Sequence, residues 1–222
     1  MNEETEGAGA LDYGTAERRK GMDLFARIYS IVCHPFFLPT IGVTLLLFGN
    51  TFVSLLPRSL KYYLIGVVMT DTMAVPAAVI LILRRTGLVS DFSLASRRDR
   101  TLSMLAVAVG YVLCAVMLSR YMMIGIMHGV LYGALIALLV CFIVNFRWKI
   151  SLHMTAMGGI VGLLLSVNLL GYGRMPVALM VFILLAGLLG TVRLYLGRHD
   201  LWQVIAGFLT GFLSMYICMR LF

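Results

Sequence analysis

Residues 176–221 read PVALMVFILLAGLLGTVRLYLGRHDLWQVIAGFLTGFLSMYICMRL. Two apolar runs, 176–196 and 201–221, are parted only by Gly197-Arg198-His199-Asp200. Each run has the about 20 residues that a helix needs to cross the hydrocarbon core of a bilayer. Backbone groups in lipid must be hydrogen-bonded within the segment itself, so runs of this kind fold as helices. The short-range alternation over about ten residues that marks a membrane barrel strand does not occur here.

The pattern continues upstream, with apolar runs at 33–55, 62–83, 101–119, 122–145 and 150–170. Between them lie Pro57-Arg58-Ser59, the polar stretch 84–100, Arg120, Arg147-Trp148-Lys149 and Gly171-Tyr172-Gly173-Arg174. The expected fold is an all-α, polytopic transmembrane helix bundle of about seven spans, or six if the first is re-entrant. Composition agrees, since 61% of the 222 residues are hydrophobic and 13% charged, against about 45–50% and about 25% in soluble domains. That excludes a soluble globular protein, a disordered chain and a nucleic-acid-binding domain. The net charge of +8 then belongs to loop cations that set orientation and touch anionic headgroups. Glycines 158, 159, 162, 187, 190, 207 and 211 lie inside the apolar runs and suit close helix packing. Cys33, Cys114, Cys141 and Cys218 lack metal-ligand spacing and read as small hydrophobes.

Two regions follow from this division. Residues 1–30 form a polar N-terminal tail and an interfacial helix, and 31–222 form the helical membrane domain. The tail holds Glu3, Glu4, Glu6 and Glu17 before Arg18-Arg19-Lys20, and no cleavable leader pattern is visible. Leu24, Phe25, Ile28 and Ile31 recur at helical spacing beside Arg27, as in a helix lying in the headgroup plane.

An ionisable group near or inside a span is costly and points to function by default. With seven spans, the breaks at 84–100, 146–150 and 197–200 are separated by even numbers of crossings and open on one side. They gather Arg97, Arg98, Arg100, Lys149, Arg198, His153 and His199, with Arg193 at the end of the sixth span. Convergent arginines, a lysine and two imidazoles are what a phosphate group requires. Ser151-Leu152-His153 falls at a helix start, where free N–H groups and the dipole favour an anion. Gln203 lies one turn after His199. Its amide oxygen can accept one ring N–H and leave the other nitrogen free to attack.

At these residues the chain resembles the type-2 phosphatidic acid phosphatase superfamily, whose histidine site is shared with vanadium haloperoxidases. The family's motifs run K-x6-R-P, P-S-G-H and S-R-x5-H-x3-D. Val192-Arg193-x5-His199-x3-Gln203, followed by Val204-Ile205-Ala206-Gly207, matches the third in spacing; Ile150-Ser151-Leu152-His153 matches the second at Ser and His. The first is represented by Ser96-Arg97-Arg98-Asp99-Arg100-Thr101. The resemblance implies a lipid phosphatase of the cell (inner) membrane, without metal or cofactor, acting on a lipid phosphate monoester or isoprenoid pyrophosphate. It makes His199 the nucleophile and His153 the acid for the leaving alcohol. Gln203 replaces the motif's Asp as the group that orients His199, and Asp200 could also serve there. Arg193, Ser151, Arg97, Arg100 and Lys149 become phosphate ligands. Alternatives are a transporter or flippase, a degenerate lipid-phosphate-binding member, and a phosphotransferase on the same scaffold. Arg18, Arg19, Lys20, Arg27, Arg84 and Arg85 share the motif side and turn it toward the cytoplasm.

Three further polar residues need a reading. Asp71 in mid-span is either a functional carboxyl or one hydrogen-bonded within the bundle. His34, ahead of Pro35 on the motif side, reads first as an interfacial histidine, with a place in the site as the alternative, and His128 reads as a packed one.

Overall fold

The computed structural model describes residues 19–87, 97–119 and 125–222, apart from the side chains at 97, 98 and 119. The tail 1–16, Arg18, Arg120 and most of the 84–100 break therefore lie outside the described residues, as do the side chains of Arg97 and Arg98. The chain is an all-α polytopic bundle. Helix α1 covers 19–32 and α2 covers Leu38–Phe48. The rest are α3 Arg58–Arg85, α4 Arg97–Ser119, α5 Gly125–Asn145, α6 Leu152–Leu169, α7 Pro176–Tyr195 and α8 Leu201–Leu221. Six of them, α3 to α8, are long and apolar enough to cross a membrane.

The first expected span is the exception. Instead of a full-length helix over 33–55, the chain makes a turn through His34–Phe37, the 11-residue α2 and a 3-10 turn at Phe52–Leu55. Pro35 and Pro39 interrupt the ladder of helical N–H donors at its start. The segment nevertheless joins the two ends of the bundle. His34 packs on His153 at the beginning of α6, while Thr51 pairs with Gly173 just beyond the end of α6. The three motif loops consequently share one end, called the site end below.

Two local features have clear causes. In α3 the backbone widens to a π-turn at Thr70–Ala74 immediately before Pro76. Proline has no N–H and clashes with the carbonyl four residues back, and one wide turn relieves both problems. Asp71 falls in this turn, buried, with Oδ2 lacking a hydrogen-bond partner. In α4 the run Arg97–Arg100, expected before the helix, forms its first turn. Asp99 suits the positive end of the helix dipole there.

The core pair is α6 against α8. A Cβ at Gly158 would strike the Phe208 backbone, and one at Gly207 or Gly211 would strike the carbonyl of Ser151 or Thr155. Removing those side chains lets the two helices touch along their backbones, as small residues do in membrane bundles. Gly187 faces open space and packs nothing. All four cysteines are free and buried.

Candidate functional site

The motif-side break before α8 is organised by Asp200. It caps α8, its Oδ1 accepting the N–H of Gln203 at 2.8 Å, and so satisfies one of the orphan donors of the first turn. This removes Asp200 from the role of orienting His199. Gln203 fills that role, with His199 Nδ1–H donating to its Oε1 at 2.9 Å. The tautomer leaves Nε2 with a lone pair. Burial, opposed by the Gln203 hydrogen bond and reinforced by Arg193, Lys149 and Arg100, pushes the His199 pKa down to about 4. The ring is neutral at physiological pH, as a nucleophile must be.

His199 opens onto a cavity of about 320 Å³ whose wall also includes His34, Arg100, Lys149, His153, Arg193 and Arg198. Tertiary contacts hold these groups in place. Arg100 donates from NH2 to the Ile150 carbonyl at 3.1 Å, and Lys149 donates to the Arg198 carbonyl at 2.8 Å. Gly207, by admitting the Ser151 backbone, brings the start of α6, with His153, against the start of α8, with His199. Burial, and then Arg100, Arg193 and Arg198, hold the Lys149 amine below its ordinary range. His34 is lowered by burial and by Arg193. None of these shifts has a carboxylate as its cause. Crowded cations of this kind are relieved by an anion.

Helix α1 supplies what sequence reading did not find. The Ser30 hydroxyl accepts from Arg193 NH1 at 2.9 Å, and its carbonyl accepts from His153 Nε2 at 3.2 Å. Arg193 Nε is buried without a partner. Ser30 and Ala26 are the buried face of α1, opposite the exposed Leu24, Phe25, Ile28 and Ile31. The same four-residue spacing that marked the apolar stripe could have marked this second face. Of the two readings of His34, the structure gives the second: it is part of the cavity wall, its ring 5.3 Å from that of His153. Arg198 likewise joins the wall, and its place beside His199 in the sequence was the available signal.

Ser151 departs from the expectation. It is fully buried, its N–H donates to the Gln203 carbonyl at 3.3 Å, and its hydroxyl has no partner. It packs behind the cavity wall rather than forming part of it. The side chain of Arg97 lies outside the described residues. His128 is stacked on Tyr132 and Phe222, with centroids at 6.0 and 6.1 Å, far from this end. Asp71 is absent from the wall, although its neighbour Thr72 contributes to it. Among the described residues no group of three or more His, Cys, Asp or Glu side chains could hold a metal ion.

No protein-family model matches the chain, and neither curated proteins nor solved structures give a match.

Proposed function

We propose that the protein is a membrane phosphatase that removes phosphate from a lipid phosphate monoester or isoprenoid pyrophosphate through a phosphohistidine. The observation that carries this reading is the His199 ring, neutral and held by Gln203, at the cationic head of a cavity whose remaining walls are mostly apolar. In the first step Nε2 of His199 attacks phosphorus, an N–P bond forms and the bond to the leaving oxygen breaks. His153 gives that oxygen its proton. Water then attacks phosphorus, His153 takes the water's proton, the N–P bond breaks and inorganic phosphate leaves. Arg193, Arg100 and Lys149 offset the negative charge on the non-bridging oxygens, the electrostatic part of the catalysis. His153 and Arg193 must first exchange their contacts with Ser30 for substrate oxygens. The resemblance to type-2 phosphatidic acid phosphatases supplies the expectation that no metal takes part.

The same reading places the protein in the cell (inner) membrane. Arg19, Lys20, Arg27, Arg84 and Arg85 at the site end favour a cytoplasm-facing site by the positive-inside rule.

The test is phosphate release by the purified protein in detergent with EDTA, from a panel of lipid phosphates and an isoprenoid pyrophosphate. EDTA-resistant release that disappears in His199→Ala is the expected result. Release that persists in the variant overturns the role of His199. Absence of release from every lipid returns the protein to the binding or transport classes.

A further inference from the structure

The cavity does not end beneath the phosphate site. One face of α4 lines it along nearly the whole helix, with Arg100, Met104, Val107, Tyr111, Cys114 and Leu118 at successive turns. Eighteen residues at 1.5 Å each make this a depth of about 27 Å. Across the chamber, α5 contributes from Leu138 down to Met127, and α6 from His153 down to Leu163. The charged groups and imidazoles are gathered at the site end; below them the wall is mostly apolar, with Thr72 and Tyr111 at mid-depth and residues such as Leu131 and Met215 deeper. Small residues at mid-depth, Ala134 on α5 and Ala156 and Gly159 on α6, keep the bore open. A Cβ at Gly159 would meet only the Met215 methyl at 3.9 Å. Apolar cavities of this kind exclude water and take apolar ligands.

We infer that this chamber is the binding site for the hydrocarbon tail of the substrate, and that it accepts one long unbranched or polyprenyl-like chain rather than a pair of acyl chains. Two quantities lead there. The depth of about 27 Å is close to the full hydrocarbon thickness of about 30 Å, roughly twice what a chain confined to one leaflet spans. Spread over that depth, a volume of about 320 Å³ makes a narrow bore, suited to one chain better than to two. A diacyl lipid reaching the same phosphate site would have to leave one or both chains outside. The inference rests on the phosphatase reading for the identity of the head group, but the tail site is defined by the chamber alone.

A long single-chain alkyl phosphate with a photoreactive diazirine at its far end tests this on the full-length protein in lipid nanodiscs. Irradiation followed by peptide mapping is expected to place adducts on the deep wall, at Leu118, Met127, Leu131 or Met215. A diacyl phosphate with the same label is expected to mark outward-facing residues such as Leu184 and Leu188, which are exposed on α7. In Gly159→Leu, with Ala134→Leu as the second variant should the first fold poorly, the deep adducts should fall by about tenfold, about 1.4 kcal/mol of lost binding. Adducts from the single-chain probe confined to outward-facing residues overturn the inference, as does equal deep labelling by the diacyl probe. Phosphate release measured on the same samples separates the two claims. Deep adducts without release leave the tail site standing and remove the phosphatase, whereas release with outward adducts does the reverse.

Discussion

The two ends of the bundle are built from similar residues and treat them differently. At the far end, Lys61 donates to the Ser54 carbonyl and lies over the Phe48 ring at 5.0 Å. The Asn168 amide oxygen accepts the Met175 N–H at 2.8 Å, and His128 stacks against Tyr132 and Phe222. Backbone pairing of Phe52 with Tyr172 and of Arg174 with Asn50 closes that end. The polar groups named here meet neighbours within the fold. At the site end, Arg193 Nε and Ser151 Oγ are buried without partners. Three groups there, His34, Lys149 and His199, are displaced from their ordinary protonation ranges by burial and by cations. Cations and imidazoles alone therefore do not make a site. What distinguishes one is that its groups face a cavity and are left incompletely satisfied, a state that costs stability and persists where a ligand completes it.

Exchanging histidines gives the largest contrast. His199→Ala should lower phosphate release by more than about 10³-fold, as expected for loss of a nucleophile. His128→Ala should leave turnover within about twofold and show only the modest loss of stability of a surface-type substitution. Comparable losses in both would mean that the two ends do not differ in function. The second contrast pairs arginines. Arg193→Ala should cost about 10²–10³-fold in kcat, the usual effect of removing one transition-state donor. Arg174→Ala at the far end should change kcat by less than about twofold. Steady-state kinetics on the two variants decides it.

How much of this difference was legible in the sequence varies by element. The six long spans were readable because lipid forces backbone satisfaction within each segment, which leaves one solution for an apolar run of sufficient length. The short α2 was not, because hydropathy registers the apolar run through Pro35 and Pro39 but not the missing N–H donors that break it. Spacing brought Gln203 within reach of His199, and the 2.9 Å hydrogen bond joins them although His199 lies just ahead of the N-cap of α8. Asp200, the alternative for the same role, caps α8 instead. A residue directly beside His199 cannot turn back to the ring while it caps the helix, and an N-cap preference is itself a sequence signal. Ser30 was out of reach, and for His34 only its side of the membrane was readable, since their partners Arg193 and His153 are more than a hundred residues away and only packing joins them. Ser151 was expected among the phosphate ligands from its position at a helix start. Its backbone is instead pressed against α8, where Gly207 lets the two helices touch, and its hydroxyl is buried away from the cavity wall.

A pH measurement sharpens the comparison further. His199 is lowered from its ordinary 6.5 to about 4, so between those values the native protein binds fewer protons than the unfolded chain. Its neutral burial is therefore compatible with full stability above about pH 6.5, and stability falls as the pH drops from there toward about 4. For activity, kcat/KM should be insensitive to His199 from neutrality to near pH 5, with the loss centred close to 4. Gln203→Glu keeps the side-chain length but places a carboxylate on Nδ1, which favours the imidazolium. The acid limb should then move upward by about 1–3 pH units. An unchanged profile would show that His199 is not the group that titrates.

The smallest effect expected concerns α1. Ser30 holds Arg193 through its hydroxyl and His153 through its carbonyl, so the helix occupies the two donors that a phosphate ester would use. Ser30→Ala removes the first contact and keeps the second. A hydrogen bond to a charged group contributes about 1.5–3 kcal/mol at most, and less where water can replace the partner. About 1 kcal/mol of relief corresponds to roughly a fivefold lower KM with kcat little changed. The opposite result, a higher KM with faster amide exchange in α1, would show that Ser30 positions Arg193 for substrate rather than competing with it. At the far end, His128 and Lys61 meet partners that belong to the fold. The sign of the Ser30 effect therefore reports whether the unsatisfied state of the site end is guarded by α1 or assembled by it.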